Sequence, residues 1–565
     1  GEIPGVARPL AASLHCLMWR LGVEGALARL GCGRALGAGL SRRLDWVHGW
    51  IEGRLYQNKS ELSGALAALP GAGAIGHELA TVFRGSGEML ERDLPQRAGS
   101  ALRRLLPAGG RFPKSLRRAL RSRRSHVDAF RSRGGRLAAR MRQACESLKI
   151  EQLPELLDSV EPELRSTLGL RQLAQFQLHW RWAELLRLTR TLCGDNDGAL
   201  ARTLAIIAQP VASETAVRAC GELAGKAAAH ARLVDALRGG RIAEAESLLS
   251  GNPKLAPLYK SAHEELARQL CWIEHGRLLD DDDVMKTIMA SVATGAAIEF
   301  ELTIEGGETP LKRARRLAVE KLQHHLGDAR KSLDQVQHAA TGFHHAFTRL
   351  LEMRGAYVEV CNAWRGVLAQ TADLLVDYGA LAAAGDIDWV EIGEIRGFLA
   401  GRLIEPSLGS LAERRRQLYH DWEQVEPPAP LVVAHGAVHV GEQIPRRGLG
   451  EIREGVAKVN GVGCSAGTLR TRVRVCERLE DAHRLRSGEI LALPLADIRF
   501  REFLHAVGGL VVEEGRITDE LIMLALRLCK PLVLGPGGVC KWLSDGENIE
   551  IQGGSGLLKK VSTTH

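Results

Sequence analysis

The sequence predicts a multidomain protein in which a large, mostly α-helical region is followed by a compact α/β domain. Three observations carry that reading. Apolar residues recur at spacings of three and four through most of residues 1–430, as in Leu153 to Leu170, Leu173 to Leu192, Ala216 to Leu249 and Arg313 to Leu351. The Pro-rich stretch Glu426-Pro-Pro-Ala-Pro430 then marks a linker. Beyond it Thr468 to Val475 alternates Leu469, Thr471, Val473 and Val475 with Arg470, Arg472 and Arg474, the pattern of a strand with one buried and one wet face. With 565 residues, 45% of them apolar and 25% charged, the chain can fill about two to four domains. We divide it at residues 1–430 and 431–565, with the basic stretch 101–143 as the place where the helical region could split in two.

Within the helical region Pro and Gly punctuate. Pro70-Gly71, Pro107 to Gly110, Gly134-Gly135, Gly239-Gly240 and Gly251-Asn-Pro253 predict turns between helices. The Asp280 to Asp283 run lacks the glycine and alternating oxygen ligands of a calcium loop and reads as a helix start before Val284. Paired histidines at His324-His325 and His344-His345 point about 100° apart on a helix and have no carboxylate or thiol at ligand spacing, so no metal and no cofactor is expected. Between Ala101 and Arg142 stand fourteen Lys or Arg against Asp128 alone, although the whole chain carries only +8. With only Phe112 and Phe130 for stacking, this stripe fits a solvated face or a protein-docking surface better than a nucleic-acid groove. Eleven scattered cysteines without a Cys-x-x-Cys pair fit a reducing compartment. The absence of a long apolar run or a secretory-type start predicts a cytoplasmic protein that does not engage a membrane.

The chain is organised around Gly508 to Gly535. This stretch reads as a strand over Leu510 to Val512, a polar turn at Gly515, a helix from about Thr518 to Cys529, and a second strand from Pro531 to Leu534. It resembles the phosphohistidine segment of the swivelling domain of phosphoenolpyruvate (PEP) synthases, pyruvate phosphate dikinases and rifampicin phosphotransferases, G-G-x-T-S-H-x-A-I-x-A-R-E-x-G-I-P-x-V-V-G. Anchored on Pro531 and Gly535, that family's Thr-Ser-His falls on Thr518, Asp519 and Glu520. The histidine that would carry phosphate is therefore replaced by a carboxylate. Glu520 reads first as an acid favoured in a helix's first turn with Thr518 as N-cap, and second as a general base.

Other segments extend the likeness. Gly1 to Leu14 and Gly53 to Asn58 are similar to G-E-x-P-G-x-x-T-P-L-T-W-S-L and G-R-x-Y-x-N of the family's helical substrate domain, which makes Tyr56 and Asn58 candidate substrate-binding residues. Tyr357 to Ile395 resembles the passage that precedes the swivelling domain. Gly463 to Gly467, Gly488 to Pro494 with Asp497, and Asp545 to Gly556 resemble that domain's remaining elements. Ile298 to Leu302 keeps the tail of the family's G-H-R-G-P-N-E-F-E-L, but Thr294 and Gly295 stand where its His and Arg would be, and they can neither relay a proton nor clamp a phosphoryl group. The resemblance also implies an upstream ATP-grasp domain, yet the sequence shows no P-loop or other Gly-rich phosphate fingerprint.

Three expectations follow. The first is a non-catalytic homologue, a binding or scaffold subunit for a protein partner or a small apolar ligand. The second is a repurposed enzyme using Glu520, with Tyr56 or Asn58, in the cleft between the two regions. The third is half of a split phosphotransferase served by a separate ATP-grasp protein; a full-length paralogue is the partner expected for the first reading. His435, His439, His483 and His505 are expected to be structural or surface residues.

Overall fold

Long apolar periodicities become long helices. The computed structural model describes residues 6–29, 48–51, 54–57, 124–196, 198–205, 214–239, 241–275, 277, 281–295, 310–327, 329–402, 407–424, 432–434, 437–439, 452, 455–465 and 467–561. Among these the first part runs α1 (Pro9–Arg29), β1 (His48–Ile51), β2 (Arg54–Gln57), α2 (Arg124–Cys145), α3 (Leu153–Cys193), α4 (Ala199–Leu204), α5 (Glu214–Ala227), α6 (Ala231–Arg238), α7 (Ile242–Gly251), α8 (Ala256–Gln269), α9 (Asp281–Gly295), α10 (Pro310–Leu326), α11 (Arg330–Asp377), α12 (Ile392–Leu399) and α13 (Leu408–Gln424). The second part runs β3 (Val432–Ala434), β4 (Ala437–His439), β5 (Lys458–Asn460), β6 (Val462–Gly463), β7 (Thr468–Val475), β8 (Ile490–Leu495), β9 (Gly509–Glu514), α14 (Glu520–Arg527), β10 (Leu532–Leu534), α15 (Val539–Trp542), β11 (Asn548–Gln552) and β12 (Leu557–Lys560).

Several predicted boundaries shift. The two stretches Leu153 to Leu170 and Leu173 to Leu192 are one helix, α3, with Pro162 inside it. Gly134-Gly135 makes no turn; both lie within α2, where a Cβ on Gly134 would stand 3.5 Å from the Ala356 carbonyl oxygen of α11. That glycine serves close helix packing, a use that a local punctuation rule does not distinguish from a turn. The antiparallel β1–β2 hairpin was not foreseen in a region read as mostly helical.

The helical body packs α1 along α3, and α2 and α3 against α11, around Phe130, Trp272 and Trp364, all essentially inaccessible. The crossing of α1 and α3 is set by two glycines. A Cβ on Gly25 would lie 2.0 Å from the Arg165 carbonyl oxygen, and one on Gly169 would lie 2.5 Å from the Gly25 carbonyl carbon. No helix among the described residues is long and apolar enough to cross a membrane.

The main sheet has the strand order β5-β12-β11-β7-β8-β9-β10-β6. Strands β7 to β10 are parallel neighbours and the others pair antiparallel. Only Gly461 separates β5 from β6, so the two outer strands meet and the sheet curls round. Side chains on its central strands alternate between two apolar clusters. Ile490, Ala492, Val511 and Val533 point to one, Leu491, Leu493, Leu510, Val512, Leu532 and Leu534 to the other. Burial on both faces explains why these strands read as continuous apolar runs, whereas β7, with its arginines outward, alternates as predicted.

The second cluster continues into the helical body through Trp182, Phe343 and Phe347. A 3-10 segment, Ile498–Phe503, is the plug between the two regions: it packs on α5, α9 and the 3-10 turn Trp272–His275, with Phe500 and Phe503 buried.

Candidate functional site

The predicted strand, turn, helix and strand over Gly508 to Gly535 is present, with β9 and β10 paired in parallel around α14. The helix is shorter than the predicted Thr518 to Cys529. Its N-cap position falls on Asp519 and not on Thr518. The Asp519 carboxylate turns back to accept from the Arg516 backbone N–H at 2.7 Å and from Arg516 Nε at 3.0 Å, so it caps no helical amide. Such local bonds compete with capping, which is why the residue types alone did not place the cap. Thr518 is buried and its hydroxyl has no hydrogen-bond partner. At the other end Cys529 closes the helix with φ of 55°, while the Lys530 N–H returns to the Ala525 carbonyl at 3.0 Å.

Glu520 therefore sits in the first turn of α14, and its partner comes from the helical body. Its Oε2 accepts from Arg354 Nη1 at 3.0 Å. Arg354, deep on α11, also donates to both carboxylate oxygens of Glu274, at 3.1 and 2.8 Å, and to the Gln269 carbonyl at 3.2 Å. The same carbonyl accepts from Arg501 Nη2 at 2.9 Å, and Arg501 pairs through Nε with its neighbour Glu502. Ser291 on α9 donates to the Glu502 carbonyl at 2.9 Å. Two guanidinium groups and three carboxylates are thus interleaved where the helical body meets the sheet.

The electrostatics follow from burial. Burial alone would raise the Glu274 carboxyl, but Arg354, with Arg501 and Arg171, outweighs it and holds the group below its ordinary value. For Glu502 burial wins over Arg501 and the carboxyl is raised. Burial, reinforced by Arg499, pushes the His275 imidazole down to about 3. Nearby, burial lowers His505 to about 4 and Lys530 to about 8. His505 Nδ1 lies 2.7 Å from the Glu502 carbonyl, a structural bond.

The other sequence-predicted residues are dispersed. Thr294, at the end of α9, is buried and its hydroxyl donates to the Ala290 carbonyl at 2.9 Å; Gly295 is the last residue of that helix. Tyr56 lies on β2 opposite Gly49. Asn58, His435 and Ile298 to Leu302 fall outside the described residues. Of these, the described Thr294 hydroxyl bonds within its own helix and not to Glu520. Arg354, Glu274, Gln269 and Arg501 were missed. The available signal was a lone arginine among apolar neighbours, Met353-Arg354-Gly355-Ala356-Tyr357, on a helix face that must be buried.

The basic stretch is largely engaged where it is described. Arg131, Arg133, Arg140 and Arg142 bond to the Glu352 carbonyl, Ser166, Ser159 and Glu359 on α3 and α11. No group of three or more His, Cys, Asp or Glu among the described residues is arranged to hold a metal ion.

No family model matches the chain. It is 22% identical over 259 residues to a rifampicin phosphotransferase of Bacillus cereus, covering 45% of this chain and 28% of that protein. It is 24% identical over 196 residues to the rifampicin phosphotransferase of Bacillus subtilis, covering 35% of this chain and 21% of that one. A phosphoenolpyruvate synthase of Aeropyrum pernix is 29% identical over 108 residues, 19% of this chain and 13% of the relative. The match thus spans about a quarter of the length of the Bacillus proteins. These similarities support a PEP-utilising, phosphotransferase-like family at low identity.

Proposed function

We propose that the chain is a degenerate PEP-utilising, phosphotransferase-like protein that does not carry phosphohistidine and acts as a binding or scaffold subunit. One observation supports this most: position 520, where the family likeness puts the phosphate-bearing histidine, holds a carboxylate engaged with a buried arginine. To meet a phosphoryl group Glu520 would have to leave Arg354, and the product would be a reactive acyl phosphate in place of a phosphoramidate. Thr294 points the same way, because its hydroxyl is committed to its own helix. On this reading residues 1–430 form the helical body and 431–565 a module descended from a swivelling domain. The partner is a protein, a full-length paralogue or a separate ATP-grasp protein. The test is incubation with labelled ATP or labelled PEP, with and without such partners, followed by mass spectrometry. The expected outcome is no phosphoryl group on residues 515–530; a phosphorylated chain that passes the group to an acceptor overturns the reading.

A second reading has its own observation. Glu520 Oε1 is buried without a hydrogen bond, and an unengaged carboxylate oxygen is what a general base presents. In any assay that shows turnover, Glu520→Gln is expected to abolish it on this reading; undiminished turnover removes the carboxylate from the mechanism.

A further inference from the structure

We infer that the outward face of β5, β12, β11 and β7 is a docking surface for an acidic, extended segment of a partner protein. The surface is separate from residue 520 and stands whether or not the chain carries phosphate. Cross-strand pairing lines up Lys458, Lys559, Glu550 and Arg470 in one row across the four strands. Arg472 stands two residues further along β7 on the same face. Val473, Ile549, Ile551 and Leu558 of these strands fill the apolar cluster behind, so the charged side chains point outward. Lys458, Arg470 and Arg472 are exposed and Lys559 is half-buried.

These four cations are left without counter-charges. None of them has an ion pair or a side-chain hydrogen bond among the described residues. Glu550, the acid in the row, accepts from Gln552 Nε2 at 2.8 Å. Arg474, the next arginine on the same face of β7, is by contrast bound to both oxygens of Glu489 and to Asp545. Lys458 also directly opposes Lys559, and like charges facing each other across strands cost stability. A wet face does not require this, since Asn460 and Thr468, one row away, are exposed and neutral. Unpaired, mutually repelling cations gain when an anionic partner settles on them.

What else the face carries selects the partner. Its described residues include no aromatic ring, so a single-stranded nucleic acid finds no stacking platform. Arg470 and Arg472 stand about 7 Å apart along the strand, the interval at which an extended chain repeats its same-face side chains. Glu or Asp at alternate positions of such a segment therefore meets both guanidinium groups in register, while Lys559 and Lys458 extend the positive field across the sheet. Because β7 is flanked by β8 and β11, the segment lies over the side chains and does not join as a further strand.

The test is fluorescence anisotropy of the full chain with a labelled peptide of alternating Glu and Thr as long as β7. Wild type is compared with the double variant Arg470→Gln, Arg472→Gln and with the control Lys254→Gln, Lys260→Gln, which removes two exposed cations from the helical body. All four positions are on the surface, and denaturation midpoints no lower than that of wild type show that the sheet is kept. The β7 variant is expected to bind the peptide about fivefold or more weakly and with a shallower salt dependence, while the control binds as wild type does. Absence of binding to wild type, equal weakening in the two double variants, or tighter binding of a thymidine oligonucleotide of the same length overturns the proposal.

Discussion

Arg354 shows how one side chain can tie distant parts of a sequence together. A guanidinium has a rigid fork of donors, and here three residues from two regions accept from it: Glu274 through both oxygens, Gln269 through its carbonyl, and Glu520. Burial would lower its affinity for the proton, but the two carboxylates more than reverse this and raise it further. Replacement by methionine leaves two buried carboxylates facing each other, and Arg354→Met is expected to lose about 3–5 kcal/mol in urea denaturation. Arg354→Lys is expected to recover only part of that, because one ammonium cannot span the same acceptors. Glu520 was legible in the sequence as an acid in a helix's first turn. Its partner was not, because nothing in the spacing of residues 354 and 520 says that they meet.

At the scale of elements, backbone conformation decides what sequence patterns leave open. Cys529 ends α14 in the left-handed region, where a side chain costs about 1 kcal/mol or more and glycine costs nothing steric. Cys529→Gly is accordingly expected to raise stability by about 1 kcal/mol, read as a higher denaturation midpoint with unchanged slope. The crossing of α1 and α3 gives the opposite prediction. Gly25→Ala or Gly169→Ala puts a methyl group into backbone of the facing helix, and a loss of about 1–3 kcal/mol or more is expected. The strand, helix and strand around α14 were readable because apolar runs and turn residues are local signals. The cap at Asp519 and the glycine contacts were not, since they depend on what lies opposite in space.

For the whole molecule, the junction between helical body and sheet makes stability depend on pH. His275 and His505 are held at about 3 and about 4, mainly by burial, against 6.5 when free. Arg499, Arg501, Arg277 and Glu274 act on His275, while the Glu502 carbonyl, Lys530 and the Ser291 backbone act on His505. Below about pH 6.5 the unfolded chain takes up protons that the folded chain refuses, so stability falls as pH drops through that window towards 4. Because both rings keep some exposure, the expected loss at pH 5 is about 1–2 kcal/mol for each. Lys530 works in the same direction at the alkaline end: held at about 8 against 10.5, it adds stability as pH rises between those values. Denaturation midpoints measured from pH 5 to 10 check both signs, and His505→Gln should flatten the acid limb.

The sequence by itself determined the order of the parts, helices and then a mixed sheet, because hydrophobic periodicity is set by neighbours a few residues away. It also placed Glu520 in the first turn of the helix that lies between two strands. Tertiary structure alone decided what that position touches, since Arg354 reaches it from α11 and brings Glu274 with it. A buried charge must find its counter-charges in space, and sequence distance places no constraint on where along the chain they come from.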